Sequence, residues 1–250
     1  MRQAQTEQQR RQYLEAMGIQ TWSLRQPQSQ STDDTQEFVE SVAAQTIQTK
    51  LVAPVEKKGI ELPAVATDWP GLQAEASVCA RCELSQYRHQ TVFGTGNRNA
   101  DWLIIGEAPG AEEDAQGEPF VGPSGKLLNQ MLLAIGLKRE EVYIANIVKC
   151  RPVDDRDPRA AEAAACEPYL KQQIALIQPK VIFAVGRIAA QNLLKSEQKV
   201  GDMRGQRFKY GETKIPLIVS YHPAYLLRMP SAKRKAWQDL LLARQILNNE

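Results

Sequence analysis

Four cysteines set the tightest limit on how this chain folds. Cys79 and Cys82 enclose two residues, Cys150 follows after 67 more, and Cys166 after another 15. Two thiolates in a CxxC pair grip one ion or cluster from a single turn, while the other two must be delivered by tertiary structure. Read as four ligands to one centre, the set ties residue 79 to residue 166 and places the site inside the folded domain. The plainer alternative is a chance CxxC beside buried small hydrophobes. Spacing alone leaves both zinc and an iron–sulfur cluster open.

With 43% hydrophobic and 24% charged side chains in 250 residues, the chain is long enough for one large domain or two small ones. No apolar run approaches the roughly 18 residues that cross a bilayer, and the opening MRQAQTEQQRRQ holds no hydrophobic signal region. The expectation is a cytoplasmic monomer with no membrane contact, where cysteines at metal spacing serve as ligands rather than disulfides. Charge is unevenly spread: residues 1–78 carry 7 basic and 10 acidic groups, residues 201–250 carry 9 and 4. The C-terminal fifth therefore suits a phosphate-rich partner.

The pattern divides the chain into 1–25, 26–70 and 71–250. Twelve glutamines in the first 50 residues, and few large apolar groups from Gln26 to Lys50, predict a largely disordered N-terminal extension with a flexible linker over 26–70. Within 1–25, a helix from Glu7 to Met17, stopped by Gly18 and followed by an extended run containing Trp22, reads as a docking peptide. Folding back on the main domain is the other reading of this element.

From Cys79 onward the chain alternates strand and helix. The runs Trp102–Gly106, Val142–Val148, Val181–Val185 and Leu217–Ser220 predict four buried parallel strands, and 124–135, 159–177, 187–195 and 231–247 predict the helical crossovers. The expected fold is α/β, a three-layer α/β/α arrangement around a four-stranded parallel sheet. Ligands of such sheets bind beyond the carboxyl ends of the strands.

Those ends carry the candidate chemistry. The first strand leads into Gly106-Glu107-Ala108-Pro109-Gly110, and the segment Glu118 to Lys126 then opens a helix. Glycines there admit close backbone approach, although Gly125-Lys126-Leu127 lacks the hydroxyl of a triphosphate-binding loop. Asn146 and Cys150 end the second strand. An amide both donates and accepts, which suits the Watson–Crick edge of a pyrimidine. His222 follows the fourth strand beside Pro223, whereas His89 reads as a structural or surface residue.

The motifs GEAPG, PFVGPSGKLL, ANIVKCRP and HPAYLLR, in this order and with all four cysteines, make residues 79–245 resemble the family 4, iron–sulfur class of uracil-DNA glycosylases. The resemblance implies a 4Fe-4S cluster on Cys79, Cys82, Cys150 and Cys166, uracil-containing DNA as partner, and hydrolysis of the base–sugar bond after the nucleotide is turned out of the stack. It implies that Phe120 stacks on the base, Asn146 reads its edge, His222 faces a carbonyl where charge develops, and Glu107 holds the water. Gly106, Ala108 and Gly110 belong to the substrate-binding motif. Family 1 glycosylases carry an Asp and a Tyr where Ala108 and Gly110 stand, so Glu113 is expected to form the wall against thymine. Leu226 or Leu227 is expected to enter the duplex, with Arg228, Lys233, Arg234 and Lys235 near the phosphates.

A shorter segment, Arg11 to Pro27, is similar to the beginning of the psi subunit of bacterial DNA polymerase III. It implies a contact between residues 7–28 and the clamp loader. The alternative to an enzyme is a non-catalytic iron–sulfur adaptor that brings a partner to DNA.

Overall fold

The structure, a computed structural model, describes residues 7–18 and 65–248 of the chain. Two helices, α1 (Glu7–Ala16) and α2 (Trp69–Ser77), precede the sheet. Its strands are β1 (Thr95–Gly96), β2 (Trp102–Gly106), β3 (Tyr143–Asn146), β4 (Val181–Val185), β5 (Arg207–Tyr210) and β6 (Ile215–Ser220). Helices α3 (Ala111–Gln116), α4 (Pro123–Ala134), α5 (Ala160–Ile177), α6 (Arg187–Leu194), α7 (Val200–Met203), α8 (Pro223–Arg228) and α9 (Lys233–Asn248) connect and follow them.

The inner strands β3, β2, β4 and β6 run parallel, as the apolar runs predict. Two antiparallel edge strands, β1 against β3 and β5 against β6, make the sheet six-stranded and mixed. Every residue of β2, β3 and β4 is buried, because helices cover both faces. Alternation along β2 sends Leu103 and Ile105 into one core, with Leu72, Leu170 and Ala189 of α2, α5 and α6. Trp102 and Ile104 enter the other, with Leu128, Leu226 and Leu240 of α4, α8 and α9. Removing one such side chain from water contributes about 1.5–3 kcal/mol, and the layer order follows from doing so on both faces.

Local signals set the helix starts. Asp68 accepts from Gly71 N at 2.7 Å and caps α2, while Pro123 and Pro223 occupy first-turn positions of α4 and α8, where a missing N–H costs nothing. Buried Asp239 of α9 accepts from Ser220 Oγ at 3.0 Å and from Arg204 Nη2 at 2.9 Å, which fastens α9 to the carboxyl end of β6. That bond fixes the start of the loop carrying His222.

Helix α1 ends where expected, with Gly18 at a φ of +70°. Its last turn is part of the domain: Met17 is fully buried in the core shared with α4 and α9, and Tyr13 packs against the same core. This favours the folded-back reading for residues 13–17 over a peptide free to dock. Trp22, the rest of residues 19–28, and the linker up to residue 64 lie outside the described residues.

Candidate active site

A cavity of about 390 Å³ opens at the carboxyl ends of β2, β3 and β6. Its walls include Glu107, Ala108, Gly110, Glu113, Phe120, Asn146, His222 and Arg228, so residues spread over more than a hundred positions of sequence meet at one place. The size falls within the range of small-molecule pockets.

Asn146, the last residue of β3, pairs in register with Gly106 of β2. Its Oδ1 is buried and has no hydrogen-bond partner among the described residues. Leaving a buried acceptor unmade costs about 1–3 kcal/mol, a cost that a ligand donor would remove. Gly106 permits the arrangement: a Cβ there would lie 2.5 Å from Asn146 Oδ1 and 2.6 Å from Phe120 Cζ. Gly106 therefore does not itself line the cavity but leaves room for the two side chains that do.

Phe120 adopts a φ of +55°, which is costly for a residue with a Cβ. Its carbonyl accepts from Arg139 Nη1 at 3.2 Å, and the preceding Pro119 carbonyl accepts from Nη2 of the same guanidinium. Glu113 secures the rest of this loop. Its carboxylate accepts from Gly110 N at 3.1 Å, Val121 N at 3.0 Å and Gly122 N at 3.1 Å. Glu113 is thus a wall of the cavity, but a wall whose charge is already committed to three amides.

His222 stands at the N-cap of α8, and its Nδ1 accepts from Ala224 N at 3.2 Å. A backbone N–H only donates, so Nδ1 is unprotonated and the neutral ring carries its hydrogen on Nε2. Burial, aided by the Arg228 charge, pushes the imidazole down to about 4. The ring is therefore an uncharged donor at neutral pH.

Glu107 differs from both. Burial and the neighbouring Asp157, with which it shares a hydrogen bond, raise its carboxyl to about 7. Asp157 is itself paired with Arg187. A carboxyl that titrates near neutrality is suited to taking a proton from water. Arg156 also lines the cavity, although Glu162 holds its guanidinium at 2.6 and 2.8 Å.

The four cysteines surround one small apolar hollow, with Ala76, Ala165 and Tyr169 among its walls. Among the described residues no three or more His, Cys, Asp or Glu side chains converge on a single point as a metal-ion ligand set; the thiols ring a space instead. Cys150 Sγ accepts from Arg88 Nη1 at 3.0 Å, and Cys166 Sγ from Lys149 N at 3.3 Å. Burial pushes the Cys166 thiol up to about 12 and raises Cys82 and Cys150 as well. Ionising such thiols requires nearby positive charge, and N–H donors aimed at sulfur are what a thiolate-held cluster uses. The donor set fits such a group.

The DNA-facing residues divide. Leu227 is 45% exposed and Arg228 sits at the cavity, but Leu226 is fully buried in the core and is no wedge. One turn of α8 must turn one leucine inward, and the neighbouring Tyr225 and Met229 are exposed with Leu227. Lys233, Arg234 and Lys235 start α9 and do not line the cavity. Lys233 is half-buried, its Nζ beside Gly18, and the other two are exposed. Arg139, Asp157, Arg187 and Arg156 carry no motif that marks them in the sequence. Asp157 and Arg156 are visible there only as part of a charged run, which is indistinguishable from a solvated face.

A pocket that offers one ring face, one amide edge and one imidazole donor at the carboxyl ends of a parallel sheet suits a single planar heterocycle, which places the protein among the base-recognising α/β/α folds. Residues 93–241 match the uracil DNA glycosylase superfamily. The chain is 40% identical over 170 residues to a type-4 uracil-DNA glycosylase of Pyrobaculum aerophilum, covering 66% of this chain and 87% of that protein. Similar relationships hold with the type-4 enzymes of Archaeoglobus fulgidus, at 42% identity over 66% of this chain and 86% of that one, and of Thermotoga maritima, at 39% over 69% and 91%. The chain belongs to the uracil-DNA glycosylase superfamily, within its type-4 group.

Proposed function

We infer that this protein removes uracil from DNA by hydrolysing the bond between base and deoxyribose, leaving an abasic site. The observation that carries this reading is the buried, unpartnered Oδ1 of Asn146 beside the Phe120 ring. Uracil presents an N3–H between two carbonyls, so an acceptor in that position selects it over cytosine, whose N3 has no hydrogen.

The extruded base lies on Phe120 and gives its N3–H to Asn146 Oδ1. His222, neutral with its hydrogen on Nε2, donates to a uracil carbonyl. As the glycosidic bond breaks, its electron pair moves onto the uracil ring, and a donor placed before the charge develops stabilises that state selectively. The sugar becomes cation-like. Glu107, as carboxylate, faces it, orients a water, and takes the proton that water loses when its oxygen bonds to the anomeric carbon. Leu227, with Tyr225 and Met229 exposed beside it, fills the gap in the duplex, and Arg228 meets phosphate at the cavity mouth.

Cys79, Cys82, Cys150 and Cys166 would hold a 4Fe-4S cluster. Its contribution there is a cross-link between segments far apart in sequence, not a step of the hydrolysis.

The test is release of free uracil from single-stranded and duplex oligonucleotides carrying uracil opposite guanine or adenine. Protein with its cluster intact should release the base and leave an alkali-labile site. Absence of release from all these substrates rejects the reading and favours a DNA-binding adaptor.

A further inference from the structure

Three residues beyond Asn146 lies a lysine whose side chain is fully buried, away from the walls of the base-sized cavity but beside the hollow ringed by the four cysteines. Lys149 Nζ donates to the Asn146 carbonyl at 2.9 Å and to Gln173 Oε1 at 2.7 Å. Both hydrogen-bond acceptors are neutral, and the acidic groups that act on the amine are the thiols of Cys166 and Cys150. Burying an ammonium is expensive, and beyond the pull of those two thiols its retention requires a further return.

That return is geometric. β3 ends at Asn146, and a carbonyl at a buried strand end needs a donor that the ladder no longer guarantees. The Lys149 ammonium supplies one and bends the chain back on itself over three residues. Its other acceptor is anchored in turn. Gln173 of α5 is fully buried and donates through Nε2 to the Phe93 carbonyl at 2.9 Å. The backbone of Lys149 is held at both ends, its N–H on Cys166 Sγ at 3.3 Å and its carbonyl on Val92 N at 2.8 Å. The Asn146 side chain, by contrast, has a buried Oδ1 with no bond to hold it. Its aim therefore depends on where its backbone sits.

We propose that Lys149 is a positioning residue for base recognition, fixing the Asn146 main chain so that the amide meets the uracil edge in register before substrate arrives. The inference rests on the assignment of Asn146 to the base edge. Loss of a bond that orients a ligating group typically costs about 10- to 100-fold in affinity or activity.

The decisive measurement is a double-mutant cycle on uracil release with Lys149→Met and Asn146→Ala, using protein whose cluster absorbance is verified. Lys149→Met should lower kcat about 10- to 100-fold, with little change in the KM for DNA, and should weaken binding of free uracil by a similar factor. In the Asn146→Ala background the same change should cost almost nothing, because the group it positions is gone. Lys149→Arg, which keeps donors on a long chain, should recover part of the loss. Equal effects in both backgrounds overturn the proposal, as does a Lys149→Met protein within twofold of the parent. Loss of the cluster in Lys149→Met, with unchanged turnover per loaded molecule, assigns the lysine to folding and overturns it too. Failure of the parent protein to release uracil is a separate result, one that rejects the enzymatic reading itself.

Discussion

The rings of Phe120 and His222 lie 5.5 Å apart, centroid to centroid, with 31° between their planes. One comes from the loop before α4, the other from the end of β6, so the sheet brings together a stacking face and a hydrogen-bond donor separated by about a hundred residues of sequence. In the proposed mechanism, a base lying on the first ring comes within reach of the second.

Replacing His222 should therefore affect the chemical step more than binding. His222→Ala is expected to lower kcat about 100- to 1000-fold, the range seen when one preorganised donor to a developing anion is removed. The affinity for uracil-containing DNA should fall far less. Single-turnover kinetics beside a binding isotherm would separate the two, and comparable losses in both would argue against this role.

The acid limb of the pH profile should belong to Glu107. Its carboxylate is the active form and its carboxyl titrates near 7, so kcat/KM should fall about tenfold per pH unit below that value. His222 remains neutral down to about 4 and adds no second drop above it. Glu107→Gln should remove the limb along with most of the rate. Stability runs the opposite way: a carboxyl raised above its unfolded value penalises the folded state once pH passes through that raised value. Glu107→Gln should then be more stable than the parent at pH 8 and indistinguishable from it at pH 4, as read by denaturant unfolding.

Gly106 offers a steric test. Gly106→Ala would drive a methyl group into both Asn146 Oδ1 and the Phe120 ring. Uracil release should collapse while the cluster absorbance and circular dichroism stay those of the parent, since the change adds a single methyl group at the last residue of β2. An active Gly106→Ala protein would show that the two side chains need not be so close.

The two leucines of α8 should separate cleanly. Leu226→Ala opens a cavity in the core and should cost about 2–5 kcal/mol of stability. Leu227→Ala removes an exposed group and should leave the melting temperature unchanged, while slowing release from duplex more than from single strands. Identical slowing on both substrates would remove Leu227 from the wedge.

Cys166→Ser should abolish the visible absorbance of the proposed iron–sulfur cluster and lower the melting temperature, because the thiols connect the turn after α2 with α5. Chelation of the loaded protein should do the same. A colourless but equally stable variant would assign the four cysteines a role outside folding.

The inner sheet was legible because burial on both faces demands uninterrupted apolar runs, and Trp102–Gly106 and Val181–Val185 match their strands residue for residue. The edge strands were not. Thr95–Gly96 is two residues long, and Arg207–Tyr210 alternates exposed and half-buried positions with two basic side chains, so neither leaves an apolar trace. Asn146, His222 and the four cysteines stood out as chemically unusual types at strand ends. Arg139 and Asp157 did not, because their importance comes from partners distant in sequence. Leu226 and Leu227 could not be told apart, since a helix of six residues is too short for periodicity to say which side faces in.

The unusual backbone of Phe120 has a kinetic corollary. A ring locked in place by Arg139 and by the crowding at Gly125 has met its conformational cost during folding, long before any substrate arrives. In the proposed role the platform is built before substrate arrives, so the rearrangement on the way to catalysis falls to the nucleic acid, whose nucleotide must leave its stack to reach it.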